Sequence, residues 1–288
     1  MSAQKVAGQI KRPRLAIIVP AFNAEDTISK TLENLFFLPR TDYEILVVDD
    51  GSTDSTQRIV ASGMRADSPI SLWSKNHTGL SDSRNFGLSK INAEYVLFLD
   101  ADDFIDTGAL ERVLKSAVRL RLDMALFDTE PFSPTNFFSQ SFLEERRPYY
   151  KRRLSSSFST LTGELLFARL MRRSSYLPSA CLYITRVDFL KSTGTRFVPD
   201  QIFEDHPFTL ELMLRANRVR YFRQTVHHRR LNPKSLTNTI EPPEAVRHLK
   251  QARLLCRRVW QRYGTQRSAA AISKLLARLD RQISKHQP

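Results

Sequence analysis

Residues 95–104 read YVLFLDADDF, and the fold follows from them. Five apolar residues run directly into three carboxylates, Asp100, Asp102 and Asp103. A continuous apolar run of this length is a buried β-strand. Carboxylates this close repel one another, and each loses hydration at the end of a covered strand. The strand end therefore requires a positive partner.

The flanking sequence places this strand in a parallel sheet. "RLAIIVPAF" and "YEILVVDD" are two further buried strands, and "ISLWSK" is a shorter one. Between them lie helical patterns. Ile28, Leu32, Leu35 and Phe36 share one face, and Ile59, Val60 and Met64 share another after the turn-forming "GSTDST". "GLSDSRNFGLSKI" reads as a helix opened by Ser81 or Asp82. A helix from Gly108 to about Leu122 turns Leu110, Val113, Leu114 and Ala117 inward, and "MALFD" closes the unit. Strands alternating with helices give an α/β layer. Beyond Asp128 the pattern loosens. "TEPFSPTNFFSQSF" reads as a loop, "TGELLFARLM" as a helix and "ACLYITR" as a strand. "FEDHPFTLELMLRA" is a helix opened by two acids, and "RVRYFRQTVHHRRL" alternates like an edge strand. Two helices finish the chain, the last with a stripe of Ile272, Leu275, Leu276, Leu279 and Ile283.

The 288 residues suffice for a full core. Cys181 and Cys256 lack metal-type spacing and read as reduced, buried thiols. No apolar run approaches the roughly 18–20 residues that span a bilayer, and Pro20 interrupts the one near the N-terminus. The net charge is +14. Eleven Lys or Arg stand against two acids between Glu244 and Pro288, with a second basic cluster, "RRPYYKRR", at mid-chain. Such an excess suits an anionic partner or a solvated basic face.

Ligands of open parallel sheets bind beyond the carboxyl ends of the strands. Three acidic ends point there: Asp49-Asp50, the Asp100–Asp103 run, and Asp128. Neither a glycine-rich dinucleotide fingerprint nor a P-loop is present. A D-x-D at a buried strand end suits Mg2+ or Mn2+, held by one or two carboxylates and completed by phosphate oxygens. The plainer alternative is that Asp102, Asp103 and Asp106 cap the next helix.

Five segments, "AIIVPAFNAEDTISKTLENL", "YEILVVDDGSTDST", "NHTGLSDSRNFGL", "EYVLFLDADDFI" and "FEDHPF", resemble in order and spacing the family 2 glycosyltransferases. The resemblance covers residues from about 13 to about 235. It implies an α/β fold of GT-A type: a Rossmann-like, mostly parallel sheet flanked by helices, here with a helical, basic C-terminal extension. It also implies transfer of a sugar, with inversion, from a nucleotide diphosphate donor, expected to be UDP-linked, to an acceptor hydroxyl.

The resemblance assigns roles by position. Pro20, Ala21, Phe22, Glu25, Asp50, Asn76, Gly79, Arg84 and Asp100 match nucleotide-contacting positions, with Asp50 facing the uracil N3–H. Phe22 replaces the more usual tyrosine, and Ser83 stands where alanine is usual. Asp102 matches the direct ligand of Mn2+ or Mg2+, with Asp100 beside it and His228 able to complete the shell. Arg229 and Ser235 match the diphosphate contacts. Asp205 matches the catalytic base and Glu204 its neighbour, although an acid at a helix N-terminus also has a purely structural use. Of these adjacent carboxylates, only one is expected to reach the acceptor.

The expected organisation is a tail over 1–12, a nucleotide-sugar half over 13–130, an acceptor half with the base over 131–240, and a basic helical extension over 241–288. The partners implied are a nucleotide sugar and a saccharide or lipid-linked saccharide acceptor, in polysaccharide biosynthesis. The default for the terminal helices is packing on the catalytic domain. The alternative lays them on an anionic membrane surface, on the inner face of the cell membrane. Two other classes compete. A nucleotidyltransferase would release pyrophosphate. A basic nucleic-acid-binding protein would need a recognition motif, and none is present.

Overall fold

The computed structural model describes residues 12–38, 42–64, 69–133, 138–154, 159–232 and 239–287. Eight strands form one sheet in the order β3-β2-β1-β4-β7-β6-β8-β5. β1 (Leu15–Ala21), β2 (Tyr43–Asp49), β3 (Ile70–Ser74) and β4 (Tyr95–Phe98) are parallel. They are joined by α1 (Ile28–Leu35), α2 (Thr56–Gly63) and α3 (Leu80–Lys90). The sheet is mixed beyond β4. β7 (Tyr183–Arg186) runs antiparallel between β4 and β6 (Met124–Phe132). β8 (Val219–Arg230) is parallel to β6, and the two-residue β5 (Phe104–Ile105) pairs antiparallel with it. α4 (Thr107–Leu120) follows β5, and Asp106 caps it by accepting from the Ala109 N–H at 2.7 Å. Asp102 and Asp103 are therefore free of the capping role.

Strand alternation splits the core between the two faces of the sheet. Leu15, Ile17 and Val19 pack with α1 and α4. Ala16 and Ile18 belong to the other core, shared with α3, α6 (Gly163–Arg172), α8 (Asp205–Arg215) and the terminal helices α9 (Pro242–Tyr263) and α10 (Ala269–Lys285). In α10, Ile272, Leu275, Leu279 and Ile283 are buried there. The apolar stripe is thus consumed by the protein core and is not free to enter a bilayer. Cys181 and Cys256 are buried free thiols, as their spacing indicates.

Several local expectations need correction. Phe36 and Met64 sit past the ends of α1 and α2 and are exposed, since each helix stops before its next inward turn. Residues 129–132 extend β6, and α5 (Gln140–Tyr150) occupies part of the expected loop. α7 (Val187–Thr193) is a short helix absent from the sequence reading. β8 lies inside the sheet because β5 covers its outer edge. Asp128 does not end a strand at a ligand site. It accepts from the Tyr221 hydroxyl at 2.6 Å and from the Arg152 N–H at 3.1 Å, beside the buried Arg152 guanidinium. One arginine of the mid-chain basic cluster is therefore spent internally.

Candidate active site

The carboxyl ends of β1, β2 and β4 carry two adjoining groups of side chains. The first centres on Asp50, which is buried at the end of β2. Its carboxylate accepts from the Lys75 ammonium, from Thr78 N–H at 3.1 Å and from Gly79 N–H at 2.8 Å, with His77 Nδ1 at 2.8 Å. Burial works to raise its pKa, but Lys75 and the two backbone donors outweigh that and leave it below the usual carboxylate range. Gly79 has φ +94°, a conformation costly for any side chain, and it aims its N–H at Asp50 while opening α3. Phe22 lies half-exposed, stacked on His77 with centroids 4.1 Å apart. This pair offers an aromatic surface for a base.

The same shelf shows what holds it. Asn23 Oδ1 accepts from Thr53 N–H at 2.9 Å, and Ser52 Oγ accepts from Asn23 N–H at 2.9 Å. Glu25 accepts from Ser55 N–H at 2.9 Å at the start of α2, so one of its oxygens serves the loop. Pro20 and Ala21 are buried in β1, and Asn76 is exposed with its carbonyl accepting from Lys75. Lys75, His77 and Thr78 escaped the sequence reading. Asp50, already saturated by four neighbours, must give up one of them to accept from a base N–H.

The second group lines a cavity of about 690 Å³. Arg84, fully buried on α3, donates to Asp100 at 3.0 Å, to Glu204 at 2.6 Å and to Asp205 at 3.3 Å. Its guanidinium lies 5.2 Å from the Phe197 ring and 5.9 Å from that of Phe98. Its charge is shared among these three carboxylates. Asp205 opens α8 and also accepts from Ala180 N–H at 3.2 Å. Glu204 and Asp205 both reach the cavity and meet at one guanidinium nitrogen, contrary to the expectation that they diverge. Asp205 is the more open, at 21% side-chain exposure against 9%. Phe203, just before them, sits at φ +66°, a strained setting for an aromatic residue.

Burial raises Glu204 to about 7, helped by Asp205 and opposed by Arg84. Burial also raises Asp205, again against Arg84. At Asp100, Arg84, Arg229 and His227 outweigh the effect of burial and hold the carboxylate below its usual range. Asp102 goes the other way. Burial, then Asp103 and Asp100, push it up to about 7.

His227 and His228 alternate across β8. His227 lines the cavity, with Nε2 2.9 Å from Asp103 Oδ2 and Nδ1 2.7 Å from Thr129 Oγ1. His228, the histidine singled out from sequence, is not in the cavity wall; it pairs with Phe104 of β5. Two residues on from His227, Arg229 returns to the wall, crowded by protein atoms yet open to the cavity solvent. Ser235 lies outside the described residues.

The donor set at Asp100, Asp102 and Asp103 fits a hard cation. It is all oxygen, and two carboxylates crowd the Asp102 carboxylate, which has no hydrogen-bond or ion-pair partner among the described residues, whereas the Asp102 carbonyl accepts from Arg230 Nε at 3.0 Å. No three His, Cys, Asp or Glu side chains form a ready cage among the described residues. A cation there would therefore depend on ligands from the substrate.

The sequence profile described as glycosyl transferase family 2 matches residues 16–177. The chain belongs to that family. It is 28% identical over 244 residues to the glycosyltransferase EpsJ of Bacillus subtilis, covering 83% of this chain and 67% of EpsJ. It is 28% identical over 209 residues to the poly(ribitol-phosphate) β-N-acetylglucosaminyltransferase TarS of Staphylococcus aureus, 72% of this chain but 33% of TarS. Against glycosyltransferase GlyA of Streptococcus pneumoniae the match spans 31% of the relative, so the chain corresponds to a fraction of some family members. The crystal structure of S. aureus TarS 1–349 in complex with UDP-GlcNAc superposes with a TM-score of 0.69 at 22% identity, over 95% of this chain and 71% of that one. The mannosyltransferase PcManGT of Pyrobaculum calidifontis, in complex with GDP-Man and Mn2+, gives 0.59 at 16% identity, over 96% and 76%. The fold is GT-A. Among the described residues no helix is long and apolar enough to cross a membrane.

Proposed function

We propose that the chain transfers a sugar, with inversion, from a nucleoside diphosphate donor, UDP-linked by preference, to an acceptor hydroxyl in cell-surface polysaccharide synthesis. The observation that carries this reading is one buried guanidinium, Arg84, tying the strand-end Asp100 to the acidic pair Glu204-Asp205. It holds a strand-end carboxylate and the proposed proton acceptor in one cavity, beside the shelf assigned to the base.

The Asp50 shelf and the Phe22–His77 pair take the base, and Arg229 faces the diphosphate. Asp102, with Asp100 beside it, would hold Mn2+ or Mg2+. When bound there, such a cation would neutralise charge on the departing diphosphate. Asp205, open to the cavity and held by Arg84 and Ala180 N–H, accepts the proton of the acceptor hydroxyl as that oxygen attacks the anomeric carbon in line. Its raised pKa makes it a stronger base than a free aspartate, and Arg84 keeps its carboxylate aimed. Glu204, more enclosed, shares the guanidinium and sets the field around Asp205. The similarity to TarS, a poly(ribitol-phosphate) β-N-acetylglucosaminyltransferase, supports a cell-surface polymer as the acceptor class.

The test is a product assay over a panel of UDP- and GDP-sugars with Mn2+ or Mg2+ and saccharide acceptors. Nucleoside diphosphate and a glycosylated acceptor should form in equal amounts. Release of pyrophosphate would instead mark a nucleotidyltransferase.

A further inference from the structure

The terminal helix α10 contributes more than packing. Arg278, Arg281 and Lys285 recur at i, i+3 and i+7, on one side of the helix, and all three line the cavity that holds Asp205. The only acid of α10, Asp280, points away from this side and pairs with Arg253 at 2.5 Å. Arg281 and Lys285 are exposed and have no ion-pair partner among the described residues. Three cations are thus gathered on one cavity wall without a neutralising carboxylate from their own helix. Like charges so placed repel, and an anion between them relieves that.

The wall belongs to the base side of the cavity. Arg278 donates to the Tyr176 carbonyl at 2.8 Å and lies over the Tyr176 ring. Four residues further along that segment, Ala180 N–H donates to Asp205. The nucleotide shelf of Asp50, Lys75 and Phe22 contributes nothing to the cavity wall. The cations therefore face the entry of the nucleophile, and Arg229 serves the donor end.

We infer that the α10 wall is a subsite for the phosphate groups of an anionic acceptor, so that the substrate glycosylated here carries phosphate esters close to the attacking hydroxyl. The inference rests on the sugar-transfer reading and narrows its acceptor class. Phosphate esters reach such a site from two sources, a polyol-phosphate chain or a lipid-linked saccharide diphosphate.

The test compares a short polyol-phosphate oligomer, a short-chain prenyl-diphosphate saccharide and a dephosphorylated form of each, namely the free polyol and the prenyl glycoside of the same saccharide. The protein is wild type or Arg281→Glu/Lys285→Glu, both at exposed positions where the fold is not at stake. At least one phosphorylated acceptor should show a KM about tenfold below that of its dephosphorylated form. The double variant should raise that KM about tenfold, with the donor KM moving less than about twofold. Whichever phosphorylated acceptor responds identifies the source. Equal KM values with and without phosphate, or no response to the double variant, overturn the inference. Calorimetric binding of the same four compounds, without donor, decides the matter independently of turnover. Tighter binding of a phosphorylated form to wild type than to the variant supports the subsite even if no sugar is transferred, and equal binding refutes it.

Discussion

Arg84→Leu is expected to lose about 3–5 kcal/mol of stability, and all measurable turnover with it. The guanidinium is fully buried, and Asp100, Glu204 and Asp205 all converge on it. Leucine fills much of the space between Phe98 and Phe197 but leaves the carboxylates facing one another without a counter-charge. The sign of the pH dependence follows. Without Arg84 the folded-state pKa of each carboxylate rises, and a raised carboxylate contributes stability below its unfolded pKa and loses it as pH climbs through the folded one. The deficit in urea unfolding should therefore be larger at pH 8 than at pH 5. A variant as stable as wild type at both would show that Arg84 is not the common anchor. Arg84→Lys should recover little, because an ammonium lacks the planar fork that reaches three partners.

Asp205→Asn should lower turnover at least about 100-fold while leaving donor affinity near that of wild type. The amide keeps the shape and the Ala180 contact but cannot take a proton. Glu204→Gln provides the control, with a smaller loss expected because Glu204 is the more enclosed of the two. Should Glu204→Gln alone abolish turnover, the base is one residue earlier. In wild type, burial raises Asp205 and takes Glu204 to about 7. The active form of the base is the carboxylate, so kcat/KM should fall as pH drops, from a higher pH than a free aspartate would give, by about tenfold per pH unit once the base is protonated. The limb belongs to the coupled pair. In Asp205→Asn it should flatten.

The parallel half of the fold was legible because β1, β2 and β4 are continuous apolar runs, two of them leading into acids, with helical patterns between. The second half was harder. β5 has two residues and exists only because β8 passes it, and α5 lies among aromatics whose period is weak. Motifs brought part of the candidate site together, although Asp102 of the same D-x-D is not in the cavity wall. Asp100, Glu204, Asp205 and Arg229 all reach one cavity. What the sequence lacked was direction. Two adjacent histidines differ only in which side of β8 they face, and His227, not His228, reaches Asp103. The motif placed Arg84 at the site but could not show its protein partners, since the three carboxylates it binds come from a strand end and a helix start far apart in the chain. The spacing of Arg278, Arg281 and Lys285 was visible, but which side of α10 meets the cavity was not.

A cation and a diphosphate arriving together should complete the crowded carboxylates at the end of β4. Calorimetric titration of UDP, and separately GDP, into wild type and Asp102→Ala, with and without Mn2+, measures that coupling. Nucleotide binding to wild type should strengthen at least about tenfold with Mn2+, with no such gain in Asp102→Ala. Binding that ignores the metal in wild type, or a metal effect that survives the loss of Asp102, would rule the coupling out.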